Sequence, residues 1–415
     1  MDYYPRIIEL KMDKWMPRKQ FLILKGPRQA GKTSLLHHLK EEYGGYYVTL
    51  EDEDQLDTFE NSPKEFAERF ISKNKRNYLF LDEAQYSKKA GKNLKLIYDL
   101  FSDRLKIVAT GSGSFDIKVQ IGKSLVGRAT YFELFPLRFE ELLTWKAKEL
   151  HPFFVRWRRN VLNFILGGGD FNEKIVFKRE LESLLSKYIV YGGFPEVAKQ
   201  NDYDVKKELL RNLALTYLEK DVFFFLNVRE LEKFRRLLHY LSLALGSMFE
   251  FSSVTKEMRM DYRTVEEYVS ILINTYIVDM LAPFYKNRAS ELRKAKKVYF
   301  VDTGLRNSIL NNFLPLQDRT DAGILLENFI LNELKFYGFD VKYWRTTSKA
   351  EVDFVIQLSD ELIPVEVKGS AKPSRGFYSF LDSYRPKRAL VFGNTEPDVE
   401  IAGSTKVLYL PYFTI

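Results

Sequence analysis

The sequence contains no cysteine, and histidine occurs only four times among its 415 residues. Without cysteine the chain has no disulfide framework, no thiol nucleophile and no thiolate ligand for zinc. The four histidines, two of which are the adjacent His37 and His38, disfavour a histidine-built metal site. Thiol catalysis and Cys-ligated zinc are therefore excluded.

Long apolar runs are missing as well. No stretch reaches the roughly 18–20 apolar residues that cross a bilayer. The opening Met-Asp-Tyr-Tyr-Pro-Arg lacks the basic-then-apolar order of a secretion signal. We therefore expect a cytoplasmic protein with no membrane partner. Lys and Arg outnumber Asp and Glu by 64 to 56, a net charge of +8 that is spread along the chain, which permits DNA as a partner without requiring it.

The length and a hydrophobic fraction of 45% predict two or three domains. In the first third, short apolar runs alternate with helical patterns, which is typical of an α/β fold with a parallel sheet covered on both faces. The predicted strands lie at residues 21–24, 46–50, 78–81 and 106–110, and the predicted helices at residues 33–42, 66–71 and 94–101.

The pattern changes after residue 145. Three consecutive glycines at residues 167–169 and an Arg-Trp-Arg-Arg cluster at 156–159 indicate a linker or inserted arm over residues 146–185. Residues 186–290 have mostly helical patterns. Strands return at 298–301, 352–356, 363–367 and 389–392, with a helix at 325–336. The sequence thus predicts four segments, at residues 1–145, 146–185, 186–290 and 291–415.

A phosphate-binding loop lies between the first predicted strand and helix. The pattern is Gly, four residues, Gly, Lys and Thr, in which glycines let backbone N–H groups wrap phosphate oxygens. The lysine supplies a cation to the β- and γ-phosphates, and the threonine hydroxyl ligates Mg²⁺. The predicted ATP-binding residues are Gly26, Pro27, Arg28, Gln29, Ala30, Gly31, Lys32, Thr33 and Ser34.

Two acids end the buried strand at residues 78–81, where ligands of parallel sheets bind. We expect Asp82 to hold Mg²⁺ together with Thr33, and Glu83 to accept a proton from the attacking water. Thr110, at the end of the next strand, and Ser112 are candidates to reach the γ-phosphate or the lytic water, or they only form a turn. Arg128 is a candidate to stabilise the transferring phosphoryl group, in cis or from a neighbouring subunit, or it is an ordinary surface arginine.

These motifs make the chain resemble a known family, the AAA+-type ATPases of archaea and bacteria that carry a restriction-endonuclease-like C-terminal domain. The resemblance rests on the phosphate-binding loop and on Asp-Glu-Ala-Gln, Thr-Gly-Ser and Gly-Arg. It also rests on the segments at residues 135–140, 191–195, 217–221 and 301–305. It implies a P-loop ATPase domain at residues 1–145 that uses ATP and Mg²⁺. Homo-oligomers are also expected, because many related ATPases complete their sites with a neighbour's arginine.

Residues 251–283 fit a helix-turn-helix followed by a wing. Such a unit can place Lys256, Arg259, Arg263 and Thr264 on DNA. In AAA+-like proteins a winged helix also serves as a lid packed on the ATPase core, and both roles stay open. The Trp157 cluster could similarly touch a phosphate backbone, or it belongs to an exposed arm.

Near the C-terminus, acids and a lysine lie in an order that favours metal chemistry. Glu366 and Lys368 are two residues apart in a strand and share a face, and a hairpin would bring Asp353 beside Glu366. Two carboxylates at that range bind Mg²⁺, which activates water, and Lys368 could orient that water. The arrangement resembles the PD-(D/E)XK nuclease core, and this resemblance adds Glu327 as the helix acid and third metal ligand. Any half-buried strand can also show such alternation.

The sequence therefore supports two main hypotheses. In the first, an Mg²⁺-dependent ATPase acts on nucleic acid through a nuclease-like domain at residues 291–415, with a helical winged-helix or lid domain between the two. In the second, ATP controls a molecular switch or regulator whose C-terminal domain is an inert interaction module. A transcription regulator that reads DNA through the winged helix is a third possibility.

Overall fold

The computed structural model describes residues 3–72, 75–111, 125–216, 230–284, 295–359, 361–370 and 372–415. These ranges contain three sheets, of five, three and six strands. No helix within them is both long and apolar enough to cross a membrane.

The N-terminal domain is built on the five-stranded sheet. Its strands are β1 (Phe21–Lys25), β2 (Tyr46–Thr49), β3 (Asn77–Asp82), β4 (Leu105–Gly111) and β5 (Ala129–Glu133). They lie in the order β2-β3-β4-β1-β5, and every pairing is parallel. The helices are α1 (Glu9–Met12), α2 (Lys32–Tyr43), α3 (Glu53–Asn61), α4 (Pro63–Glu68) and α5 (Ala90–Phe101). Because all strands run the same way, their carboxyl ends meet at one edge, where ligands bind.

The first four strands confirm the predicted α/β alternation within one or two residues. The fifth strand was not predicted, because its sequence Ala-Thr-Tyr-Phe-Glu is mostly half-exposed at the sheet edge and lacks a continuous apolar run.

Five helices follow: α6 (Phe139–Lys146), α7 (His151–Leu166), α8 (Lys178–Tyr191), α9 (Pro195–Lys199) and α10 (Tyr203–Thr216). Two of them occupy most of the segment expected to be a linker or arm. Trp157 on α7 is fully buried and packs against Phe413, with ring centroids 6.2 Å apart. Arg158 pairs with Glu140. The expectation of an exposed arm was wrong here, because α7 buries an apolar face against the C-terminal residues.

The next elements form a winged helix. They are α11 (Leu231–Leu243), β6 (Met248–Phe249), α12 (Phe251–Met258), α13 (Tyr262–Asn274), β7 (Val278–Leu281) and β8 (Lys296–Phe300). The strands pair antiparallel in the order β6-β8-β7. Asp261 caps α13 by accepting a hydrogen bond from the Thr264 backbone N–H at 2.9 Å. This arrangement agrees with the predicted helix-turn-helix and wing.

The C-terminal domain is a mixed sheet with helices. Its elements are α14 (Thr303–Ile309), α15 (Ala322–Phe336), β9 (Asp340–Arg345), β10 (Glu351–Gln357), β11 (Leu362–Val367), α16 (Arg375–Tyr384), β12 (Arg388–Gly393), β13 (Asp398–Ala402) and β14 (Thr405–Pro411). The order is β13-β14-β12-β11-β10-β9. β10 and β11 are an antiparallel pair, as the sequence predicted, whereas β11, β12 and β14 run parallel.

Three of the segments that carry the family resemblance meet in one buried joint. The Asp302 carboxylate accepts 2.8 Å hydrogen bonds from the backbone N–H groups of Gly193 and Leu305, which caps α14. The Gly193 carbonyl accepts a 2.7 Å bond from the Leu137 N–H. A Cβ on Gly304 would lie 2.2 Å from the Tyr191 carbonyl oxygen, so only glycine fits there. These segments join the ATPase and C-terminal domains.

Replacing Asp302 with Ala is expected to destabilise the fold by about 2–6 kcal/mol, because two buried N–H groups lose their acceptor at about 1–3 kcal/mol each. The measurement is the midpoint of thermal unfolding. Asp382→Ala, an exposed substitution on α16, is the matched control and is expected to leave the midpoint unchanged. Equal midpoints for both variants would contradict the role of the joint.

Candidate functional sites

The loop between β1 and α2 has the backbone shape that phosphate binding needs. A Cβ on Gly26 would lie 2.0 Å from the Leu134 carbonyl oxygen, so the chain after β5 permits only glycine. Gly31 has φ +96°, a left-handed conformation that disfavours other residues, and it immediately precedes α2. The loop N–H groups and the start of a 12-residue helix therefore face the same space.

The side chains of the loop meet those at the strand ends. The Lys32 ammonium is buried and donates to the carbonyls of Gly26 and Pro27 at 3.1 and 2.6 Å. The Thr33 hydroxyl donates to Asp82 Oδ2 at 2.6 Å, and Thr110 donates to Asp82 Oδ1. The predicted Mg²⁺ pair and Thr110 thus lie together.

Glu83 occupies a strained position directly after β3. Its φ of +54° lies in the left-handed region, which is costly for a residue with a Cβ. Its backbone N–H donates to Thr110 Oγ1 at 3.2 Å, and its carboxylate accepts from Gln85. Burial raises the pKa of Glu83, while the charge of Lys32 opposes the rise. A half-buried, oriented carboxylate with a raised pKa is suited to a general base.

A cavity of about 340 Å³ lies over these groups. Its walls include Arg28, Gln29, Gly31, Lys32, Thr33, Ser34 and Glu83. Two further cationic side chains line this cavity that were not predicted from the sequence. Arg6, which precedes the sheet, donates to the Ala30 carbonyl at 2.8 Å and pairs with Glu141 at 3.2 Å. Lys199 comes from α9 and pairs with Glu196 at 2.8 Å. No local motif marks either residue, because both reach the cavity through tertiary packing.

Arg128 lies away from this cavity. It directly precedes β5, and its carbonyl accepts from the Phe21 N–H at the amino end of β1. The phosphate-binding loop begins after the carboxyl end of β1, roughly 15 Å farther along the strand. The Arg128 guanidinium instead pairs with Asp99 at 2.6 Å. Action of Arg128 in cis is therefore wrong on geometry, and only action on a neighbouring subunit stays a prediction. Ser112 lies outside the described residues, as do residues 217–221.

The C-terminal domain gathers a second polar cluster at the start of β10 and the end of β11. The Lys368 ammonium lies 3.3 Å from Asp353 Oδ2 and 3.6 Å from Glu366 Oε1. Asp353 also accepts from the Val367 N–H at 2.9 Å. Glu366 is 1% exposed, and its Oε2 has no hydrogen-bond partner among the described residues. Burial, followed by the charge of Asp353, raises the pKa of Glu366. The cluster opens into a cavity of about 580 Å³.

Glu327 is near this cluster but bound elsewhere. Tyr299 donates to its Oε1, and Lys297 lies 3.7 Å from the same oxygen. Burial and the Asp353 charge raise the pKa of Glu327 to about 7. Within the described ranges no group of three or more His, Asp or Glu side chains is placed to hold a metal ion. The three acids predicted to bind a metal ion are therefore not arranged around one point. Glu327 is bound by Tyr299 and Lys297 of β8, and the Lys368 ammonium contacts both Asp353 and Glu366.

The basic residues of the winged helix that were predicted to contact DNA face solvent. Lys256, Arg259 and Arg263 are exposed, and the Thr264 hydroxyl is bonded to Asp261 at 2.6 Å. Of the described residues that line the nucleotide cavity, none belongs to the winged helix. The unit instead contacts the ATPase domain through Tyr276, which donates to Glu133 at 2.9 Å. Pro195, Glu196 and Lys199 of α9 line the cavity, and the role of the winged helix as a lid or as a DNA reader stays a prediction.

Comparison with protein families agrees with the first site. A family model described as a AAA domain matches residues 18–143. These residues form a AAA-type P-loop ATPase domain. Models described as domains of unknown function match residues 182–315 (DUF8612) and 322–413 (DUF4143). Neither description names an activity, so the family models give the nuclease resemblance no support.

The chain is also similar to uncharacterized relatives and to solved ATPase structures. Uncharacterized proteins are 27% identical over 366 residues in Methanocaldococcus jannaschii, covering 85% of this chain and 74% of that protein, and 24% identical over 413 residues in Haemophilus influenzae, covering 94% and 92%. The Walker-type ATPase of Pyrococcus abyssi is 16% identical, covers 74% of this chain and 96% of that one, and has a TM-score of 0.47. The RuvB Holliday junction branch migration motor of Thermotoga maritima is 17% identical, covers 66% and 88%, and has a TM-score of 0.31.

Proposed function

We propose that this protein hydrolyses ATP with Mg²⁺ and acts on nucleic acid through the Asp353–Glu366–Lys368 cluster. The proposed ATP hydrolysis is supported by one observation. Four side chains lie together at one edge of the sheet: Lys32, Thr33, Asp82 and Glu83. Each of these side chains supplies a group that phosphoryl transfer needs, because the reaction depends on positioning the reacting groups and on stabilising the charge of the transferring phosphoryl group.

Each group has a defined part in that chemistry. Lys32 exchanges its two carbonyl acceptors for oxygens of the β- and γ-phosphates. Thr33 and Asp82 would hold Mg²⁺, which fits their oxygen donors and supplies charge neutralisation on the phosphates. Water attacks the γ-phosphorus, Glu83 accepts the proton of that water, and ADP departs.

The nucleic-acid half is supported by the chemistry of the second cluster. Asp353 and Glu366 fit a divalent cation, because both are buried carboxylates and one Glu366 oxygen lacks a partner among the described residues. A cation bound there would activate water toward a phosphodiester. Lys368 raises the positive potential at the same point. Burial lowers its pKa, but the charges of Asp353 and Glu366 raise the pKa above its usual value overall, so it stays charged.

One observation favours the switch hypothesis as the second candidate. The Lys368 ammonium already lies within 3.6 Å of both acids and offsets their charge. An inert module would be stable in that form with no metal. Binding or hydrolysis of ATP would then change the C-terminal domain through the joint at Asp302, which links that domain to the ATPase domain.

The two candidates differ in the cleavage of DNA. We expect wild-type protein to cut single-stranded, duplex or branched DNA in Mg²⁺ or Mn²⁺, and Asp353→Asn to reduce cutting by about 100-fold or more, because a charged ligand is lost. ATP hydrolysis should stay unchanged. Asp382→Asn, an exposed change of the same kind in the same domain, is the control. ATP hydrolysis by wild-type protein without any cutting would establish the switch instead.

A further inference from the structure

Three lysines from three helices surround a small pocket in the helical part of the chain. Lys146 ends α6, Lys187 lies on α8 and Lys206 lies on α10. The pocket has a volume of about 150 Å³, and its other lining residues are all uncharged. Tyr191 and Tyr203 are among them. We call this the lysine pocket.

The lysine pocket lacks a counter-charge. Among the described residues, none of the three ammonium groups forms an ion pair with a carboxylate, and Lys146 donates to the amide oxygen of Asn201 at 2.9 Å. Burial, followed by the charges of Lys146 and Lys187, lowers the pKa of Lys206 to about 8. Lys146 and Lys206 are half-buried, whereas Lys187 is exposed. Like charges held together are costly, most of all where they are partly desolvated, and a bound anion offsets that cost.

Stacked aromatic rings adjoin the lysine pocket. Tyr191 lies between Tyr203 and Phe313, with ring centroids 5.4 and 6.0 Å away and interplanar angles of 27° and 10°. Tyr203 is 46% exposed, so its ring can accept another planar group. We call these three rings the ring column.

The ring column lines a larger cavity that leads toward the second cluster. This cavity has a volume of about 970 Å³ and extends to Gly369, the residue after Lys368. Its charged lining residues are Lys187, Lys207 and one acid, Glu182. An elongated ligand could therefore pass from the lysine pocket along the aromatic rings as far as Gly369.

We propose that the lysine pocket and the ring column bind single-stranded nucleic acid, with a backbone phosphate at the three lysines and a base on Tyr203. Positive charge beside stacked aromatic rings is the combination that binds single strands, whose bases are free to stack. The bases of a duplex are paired and stacked on one another, so they cannot stack on the ring column. This inference rests on the proposed action on nucleic acid and names the form of the substrate.

The test is binding of a fluorescent oligothymidylate of about 20 nucleotides, followed by anisotropy at several salt concentrations. Lys187→Gln with Lys206→Gln is expected to weaken binding about tenfold or more and to reduce the slope of log K against log salt by about 1. Tyr203→Ala should weaken binding by about 5- to 100-fold, and Tyr203→Phe should restore it. Lys64→Gln with Lys233→Gln removes the same charge from exposed sites elsewhere and should leave binding within about twofold.

The outcomes separate this inference from the function on which it rests. If wild-type protein binds the strand and the pocket variants bind it equally well, the lysine pocket is not the site, whereas the action on nucleic acid stands. If wild-type protein binds no oligothymidylate, this inference fails, whereas the proposed action on nucleic acid is decided separately by the cleavage of duplex and branched DNA. Thymidine 5′-monophosphate is the competitor that tests the source of the phosphate. Displacement of the strand by micromolar monophosphate would mean a mononucleotide site and would overturn the inference.

Discussion

Lys32→Ala is expected to reduce ATP hydrolysis by at least about 100-fold, the loss typical when a group that stabilises transition-state charge is removed. The Lys32 ammonium is buried at the phosphate-binding loop, and two other cations on the cavity wall, Arg6 and Lys199, are held by Glu141 and Glu196. Neither can replace Lys32 without giving up its own partner. The measurement is phosphate release at saturating ATP and Mg²⁺.

The matched control for this variant lies on the same helix. Lys40→Ala removes an equal side chain from the last turn of α2, away from the loop, and should retain full turnover. Thermal unfolding of both variants checks the fold, since Lys32→Ala also leaves two carbonyls without a donor. Wild-type turnover in a folded Lys32→Ala protein would refute the ATP site.

Local signals were sufficient to predict the phosphate-binding loop and the side chains that lie beside it. The loop, β1 and α2 lie within 23 residues of sequence, from Phe21 to Tyr43, and the glycines there are required by backbone geometry. Asp82 and Glu83 were predicted because residues at the carboxyl end of a buried parallel strand lie at the edge of the sheet where ligands bind. Arg128 shows the limit of this reasoning. Its Gly-Arg motif gave no information on which end of the sheet it occupies.

The C-terminal cluster was predicted only in part, because its residues depend on different contacts. Glu366 and Lys368 share a strand face, and the β10–β11 hairpin sets Asp353 beside them. The Glu327 carboxylate is instead bound by Tyr299 and Lys297, which lie in the sheet of the winged helix. No pattern within α15 specifies that contact. The same holds for Asp302 and Gly193, which are joined across 109 residues of sequence.

Glu83→Gln is expected to preserve ATP affinity and to slow hydrolysis by about 100-fold or more, in the range lost with a general base. Glutamine keeps the size and an oxygen that can accept from Gln85, but it cannot take a proton from water. The backbone bond from the Glu83 N–H to Thr110 is unaffected. Nucleotide binding by titration calorimetry and single-turnover hydrolysis separate the two effects.

The pH dependence gives an independent check on Glu83. A base acts only when deprotonated, and burial raises the pKa of Glu83 above its usual range. Hydrolysis should therefore fall as the pH drops through that raised pKa, and the acidic limb should disappear from the residual rate of Glu83→Gln. Glu51→Gln, a change of the same charge at an exposed neighbouring residue, should leave the limb in place. Loss of ATP affinity in Glu83→Gln would instead assign Glu83 to nucleotide binding, because removal of a base alone leaves the ground-state complex intact.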